Sequence, residues 1–485
     1  MILKKFQVSG CKFPVYAKAS AGEARNLTFA ALYMSTLSKN TAFQVQLTTR
    51  QIIKMAAPIS FSILIPQVNF VTNNIFLGHY SKGALAIAGL TGVYYLVFSA
   101  IGYGLNNGLQ ALIARRAGEN RPEEIGKLFS QAVFIGLSTS LLGILLTYMV
   151  TPHLFSLFIK EPERLQQAVS FCKIRIWGLP FLYVYQMRNA LLVGTNQSKY
   201  LVGGALAEAV TNILLDYLLI FGHGGFTEMG LNGAAVSSIV AEFTGLLVVY
   251  LVIWKKGISN QLHLFKNFRW DGYNARLIFS MSAPLIFQHG ISLLSWEYFF
   301  LLIDAHGEIA LAVSNTMRNI LGLAGIVIWA FGSTTNAMTG NIIGQGKQEL
   351  VWPLIKKMIT LSLGSAIVIA IFLNLFPGLL FSLYGQSGEF VAQAIPVVRV
   401  MSAAILMMSV AVVFLNAVIG SGNTRISMMA EIFAIVFYCV YIYLTLDKFF
   451  LSITFGWMSE WLYWTCLFVP SFLYIRSGKW KGKII

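Results

Sequence analysis

A chain of 485 residues in which 56% are hydrophobic and 11% charged, at a mean hydropathy of +0.69, lies outside the range of water-soluble domains and belongs in a bilayer. Its formal net charge of +16 would suit nucleic acid if the cations shared one soluble face; they flank apolar runs instead and so report membrane orientation. Four cysteines, Cys11, Cys172, Cys439 and Cys466, have the spacing of neither a disulfide framework nor a metal site.

In chain order, residues 1–50 contain no apolar run longer than Phe29 to Met34, too short for a secretory signal, and read as a disordered cytoplasmic tail. Six apolar segments follow, near 55–78, 84–112, 128–150, 168–194, 199–222 and 231–254. A polar connector at 257–274 separates them from six more, near 276–304, 309–340, 351–376, 390–419, 426–446 and 452–475. Each reaches the ~20 residues a helix needs to cross the hydrocarbon core. The expectation is therefore an all-α integral membrane protein with twelve transmembrane helices. An amino-terminal lobe covers 51–256, a cytoplasmic linker 257–274, a carboxy-terminal lobe 275–476 and a short tail 477–485.

Twelve spans put both tails and the even-numbered loops on one side, and these hold roughly 26 of the Lys and Arg against about 4 in the odd loops. That asymmetry predicts cytoplasmic termini. The halves also repeat at an offset of 226 residues: Met55, Ala57, Pro58 and Phe61 fall on Met281, Ala283, Pro284 and Phe287, Gly118 on Gly344, and Gly194 on Gly420. Parallel six-helix repeats place a substrate site between two pseudo-symmetric bundles that rock against each other.

An ionisable side chain inside a span costs several kcal/mol unless paired or hydrated, so each is a candidate site residue. The fifth span carries Glu208, Asn212 and Asp216 at i, i+4 and i+8, on one face. The first span carries Asn69 and Asn73 at a similar depth, beyond Pro58 and Pro66. Asn73, Asn212 and Asp216 are expected to share a pocket. In the second half, Glu297 in the seventh span and Arg318 in the eighth lie at matching depth and predict a buried ion pair. An acid held by Arg stays ionised, whereas an unpaired acid in low dielectric can cycle a proton. Arg188 and Arg399 fall near span ends and Lys173 and Arg175 at a helix mouth, which reads as interfacial anchoring. Glu242, Glu431 and Glu460 have no legible partner, and His289 reads as a core histidine.

At these residues the chain resembles the multidrug and toxic compound extrusion family, within the multidrug/oligosaccharidyl-lipid/polysaccharide exporter superfamily. The likeness spans about residues 51–475. It rests on Pro58 leading into Asn73-Asn74-Ile75-Phe76-Leu77-Gly78, on Ala84-Leu85-Ala86 and on Arg115-Arg116-Ala117-Gly118. Gly194 to Ser198, Asn212 to Tyr217, Met229 to Ala235 and Gly420 to Thr424 complete it. The resemblance implies two bundles forming a V-shaped cleft, and a cation-coupling or substrate-binding site at Asn73, Asn212, Asp216 and a hydroxyl from Ser237 or Ser238. It implies export of small organic substrates in exchange for H+ or Na+, with Na+ candidates at Asp216, Asn212 or Glu297 and no other cofactor. Asn73 stands where the family usually has aspartate, so Asp216 carries amino-lobe coupling alone. A NorM-like branch uses a glutamate resembling Glu297, with Arg318 beside it here; its tenth-helix aspartate is replaced by the run Ile405 to Val410.

The resulting expectation is an antiporter for amphipathic organic cations in the plasma membrane, read as a bacterial inner membrane, with no nucleic-acid or obligate protein partner. The competing transport reading is a flippase for lipid-linked oligosaccharide, which would use Lys173, Arg175 and Arg318 on a pyrophosphate. A receptor or intramembrane enzyme lacks its features: no sizeable soluble domain, GxSxG, HExxH or phosphate loop occurs.

Overall fold

The computed structural model describes residues 43–266, 269–378, 381 and 388–483. Its contacts divide the chain into Met1–Phe43 and Gln44–Ile485, and every element below belongs to the second unit. Residues 1–42 of the expected tail lie outside the described residues.

The amino half comprises α1 (Thr49–Tyr80), α2 (Lys82–Gly118), α3 (Pro122–Ser156), α4 (Pro162–Arg175), α5 (Leu179–Gly194), α6 (Leu201–Phe221) and α7 (Gly230–Lys255). A 3-10 turn at Ile176–Gly178 joins α4 to α5, so those two helices form the fourth expected span. The carboxy half comprises α8 (Gly272–Asp304), α9 (Glu308–Gly344), α10 (Val351–Leu375), α11 (Glu389–Gly420) and α12 (Thr424–Ile442). A π-helical segment at Tyr443–Lys448 and a short helix at Ile453–Trp457 lead to α13 (Ser459–Ser477). Among the described residues ten helices are long and apolar enough to cross a membrane. The fourth span falls short because it is interrupted. The twelfth, α13, has 19 residues and includes Glu460 and Arg476.

Local sequence explains the breaks. Thr48 caps α1 through its hydroxyl, which accepts from Gln51 N at 3.1 Å. Asp271 caps α8 by accepting from Tyr273 N and Asn274 N at 3.0 and 3.2 Å. Pro122 and Pro162 each open a helix, where a missing N–H costs nothing. Gly222 ends α6 at a φ of +73°, the left-handed cap a side chain resists.

The halves meet where α2 packs on α8 and α9, and α1 on α9. Small residues let these backbones approach. A Cβ on Gly104 would stand 2.6 Å from Ile286 N, and one on Gly108 would strike Ser282. At the end of the bundle carrying Gln44 and Lys483, Gly118 lies against Asn341 O and the Cα of Gly344, and Gly344 against Arg115 O. The two repeat-related glycines thus meet each other on the seam. The segment before α1 and the carboxy-terminal tail reinforce it. Gln44 donates to Gly118 O, Val45 N to Asn341 Oδ1, and Arg115 Nη2 to Lys483 O, at 2.9, 3.0 and 2.8 Å. Lys483 Nζ donates to Asn423 Oδ1 at 2.6 Å, with burial and the nearby Arg425 holding its ammonium below the usual lysine range.

Candidate functional site

Three helices of the amino half bring the predicted polar residues together. Asp216 on α6 is completely buried, and its Oδ1 accepts from the Ser237 hydroxyl of α7. Asn212, one turn before Asp216, donates to Ser237 Oγ at 3.4 Å. Asn73 reaches in from α1. With its amide turned to satisfy both ends, Asn73 donates to Asp216 Oδ2, to Asn212 Oδ1 at 2.9 Å and to Asn69 O at 3.3 Å. The other end of that amide faces Ser238 Oγ at 3.5 Å. Asn73, Asn212, Asp216, Ser237 and Ser238 therefore form one cluster, and among the described residues every hydrogen bond to the carboxyl comes from a neutral group.

The carboxy half departs from expectation. Glu297 and Arg318 form no ion pair. The guanidinium of Arg318 instead lies 4.7 Å from the centre of the Phe300 ring, a cation–π contact within its own lobe. Phe300 stands three residues beyond Glu297 on α8, so Arg318 meets the next turn of that helix rather than the carboxyl. At the level of Ile405 to Val410, α11 is closely packed, with Ile405 and Ser409 fully buried and no acid present.

A carboxyl that sequence alone left without a partner is the one this lobe surrounds with donors. Glu431 on α12 is 2% exposed and accepts from the Tyr463 hydroxyl at 2.6 Å and from Gln288 Nε2 at 3.1 Å. Glu460 accepts from Trp464 Nε1 at 3.0 Å. These bonds link α8, α12 and α13, and their spacing within any one span gives no sign of them.

Two arginines read as interfacial anchors are inside the amino lobe. Arg175 makes a two-pronged salt bridge to Glu242 on α7, at 2.5 and 3.3 Å, and its guanidinium lies 4.1 Å from the centre of the Tyr95 ring. A Cβ on Gly178 would collide with both charged groups, so the break between α4 and α5 also makes their room. Arg188 is fully buried, stacks 4.0 Å from the centre of the Tyr185 ring and donates to Asn189 Oδ1 at 2.8 Å. Opposite charges at equal depth, Arg175 and Glu242, were the signal that could have found the first pair. Arg399 is exposed, and Lys173 lies 5.4 Å from the centre of the Tyr148 ring, both compatible with anchoring. Glu208 extends the polar face of α6 inward; its Oε2 is buried without a hydrogen-bond partner. His289 stands 3.3 Å from Asn107 Nδ2, a contact across the seam between the halves.

Among the described residues no group of three His, Cys, Asp or Glu side chains is placed to hold a metal ion. The arrangement suits proton or monovalent-cation exchange at single buried carboxyls.

The MatE family model matches this chain twice, over residues 58–218 and 284–444, the same 226-residue offset as the internal repeat (284 − 58 = 226). A probable multidrug resistance protein NorM of Thermotoga maritima is 22% identical over 465 residues, 94% of this chain and 97% of that protein. Multidrug and toxin extrusion protein 1 of Oryctolagus cuniculus is 22% identical over 62% of this chain and 52% of its own. Among solved structures, an outward-facing multidrug resistance MATE family transporter superposes with a TM-score of 0.81 at 18% identity, over 88% of this chain and 95% of that one. A mutant of the Vibrio cholerae MATE transporter VcmN gives 0.82 at 16%, over 90% and 98%.

Proposed function

Because the chain belongs to the MatE family of membrane transporters, we propose that it is a secondary antiporter that exports amphipathic organic cations, with Asp216 exchanging the coupling ion. The observation that carries this reading is a buried carboxyl whose hydrogen-bond donors are all neutral. An ionised Asp216 without a counter-cation is costly in low dielectric, so it favours an ion or a cationic substrate in turn. Mutual exclusion at one site makes occupancy by either ligand bias the lobes differently, which is the basis of exchange.

The coupling ion we propose is the proton, which suits the Asn73 amide with its N–H group toward Asp216 Oδ2 and Asn212 Oδ1; the opposite orientation would bring three oxygens together as ligands for Na+, and the separate gradients of the test below decide between the two ions. The flippase reading loses its cations: Arg175 is committed to Glu242, and Arg318 and Lys173 lie over aromatic rings. The face that carries Gln44 and Lys483 is read as the cytoplasmic one, in keeping with the Lys and Arg bias, in a plasma membrane of bacterial type.

The test is export of ethidium from inside-out vesicles under separate proton and sodium gradients. Wild type is expected to respond to the proton gradient and Asp216→Asn to fall to background while remaining folded and membrane-inserted. Export driven by sodium alone, or full export by Asp216→Asn, would sink the assignment.

A further inference from the structure

Glu431 has surroundings that serve two protonation states. Gln288, on α8, directs its amide N–H to Glu431 Oε2 at 3.1 Å, and its Oε1 accepts from the Ser427 hydroxyl at 2.8 Å. The other oxygen, Oε1, meets the Tyr463 hydroxyl at 2.6 Å, and that hydroxyl lies 3.5 Å from Ser292 Oγ. An ionised Glu431 accepts from Tyr463. A protonated Glu431 donates to the same oxygen, and Tyr463 then turns its own hydrogen toward Ser292. No heavy atom has to move for either state.

Nothing among the described residues neutralises the charge. Glu431 forms no salt bridge with them, and the groups facing it are hydroxyls and an amide from α8 and α13. The nearest acid on α13, Glu460, is engaged by Trp464. Arg318 on α9 is turned to Phe300, and Arg399 on α11 is exposed. The surrounding core is apolar, with Ala430, Ala434, Tyr438 and Leu467 buried. Each carboxyl oxygen already receives a donor, and a proton enters without displacing either partner.

We propose that Glu431 is a second proton-carrying site, in the carboxy lobe, and that one transport cycle returns two protons, at Asp216 and Glu431, for each organic cation exported. The stoichiometry rests on the antiport reading given above; the proton on Glu431 does not. Charge balance gives the signature. Two protons inward against one singly charged cation outward moves one net positive charge inward per cycle, whereas one proton for one cation moves none.

The experiment uses the full chain in proteoliposomes, with ethidium as substrate, a fixed pH gradient and the membrane potential clamped by potassium and valinomycin. Wild-type exchange is expected to respond to potential, whereas Glu431→Gln keeps pH-driven exchange and loses the response; Glu460→Gln behaves as wild type. Infrared difference spectra of the purified protein between acid and alkaline buffer provide a readout without transport. Glu431→Gln should lose one carboxylic-acid C=O band that Asp216→Asn retains, and Tyr463→Phe, which keeps the carboxyl, should move that band rather than delete it. Unaltered potential dependence in Glu431→Gln, or an unaltered set of carboxylic-acid bands, overturns the proposal. Absence of ethidium exchange in wild type would instead refute the antiport reading, and the infrared arm would still decide Glu431.

Discussion

The two lobes share a helical frame and differ in what they do with charge. The amino lobe closes a buried salt bridge, Arg175 with Glu242, and places its site carboxyl, Asp216, among amides and hydroxyls from α1, α6 and α7. The carboxy lobe closes no such bridge among its described residues. Its Glu431 and Glu460 bond to neutral groups, and Arg318 rests on a ring. Helix order and the seam glycines obey the duplication, because backbone packing tolerates little change. Polar interiors are free to diverge, because each needs only to satisfy its own hydrogen bonds.

Breaking the salt bridge tests the contrast most severely. Glu242→Gln strands Arg175 in the interior and is expected to destabilise the amino lobe by about 3–5 kcal/mol, read by thermal unfolding in detergent. Arg175→Met with Glu242→Leu should recover most of that loss, and failure to recover would mean that the pair does more than neutralise itself. In the carboxy lobe Tyr463→Phe removes a hydrogen bond to a carboxyl, with an expected loss of about 1.5–3 kcal/mol in the same assay. Arg318→Met removes only a cation–π contact, and a loss of roughly 0.5–2 kcal/mol is expected. A loss as large as that of Glu242→Gln would reinstate an ion pair for Arg318.

The helix caps give the smallest effect and one that depends on pH. Backbone N–H groups of Asn274 and Tyr273 hold the Asp271 carboxyl below the usual aspartate range, whereas Thr48 at the head of α1 cannot titrate. A depressed folded value means that the contribution is complete above the unfolded value of about 3.9 and is lost as pH falls through the folded one. Asp271→Ala should cost about 1 kcal/mol at neutral pH and progressively less in acid, and Thr48→Ala about the same at every pH. Unfolding midpoints measured across that range decide it.

Much of this was legible in the chain. Apolar run lengths and the 226-residue offset foretold twelve spans in two repeats, although the fourth breaks at Gly178 and the helices of the seam run well beyond their apolar cores. The Asp216 cluster was legible because the i, i+4 spacing fixes a helix face and because Asn73 lay at matching depth. The position of Arg318 along α8 was not legible to within a turn: it meets Phe300, three residues beyond Glu297. Nor were the partners of Glu431, since Gln288 and Tyr463 come from two other spans and a lone tyrosine in an aromatic-rich helix carries no signal of its own.

The contact of Gly118 with Gly344 has a mechanical consequence. Each lies at the last residue of a 37-residue helix, about 55 Å long. A tilt of the two halves about that end would make the helices lever arms and would part the contacts at Gly104 and Gly108. A tilt of about 10° at the glycines carries the far ends through roughly 10 Å, by the length of the helices alone. A methyl group added at either glycine would act at the short end of that lever, so a wedge of one carbon atom would be felt as a wide displacement at the opposite mouth.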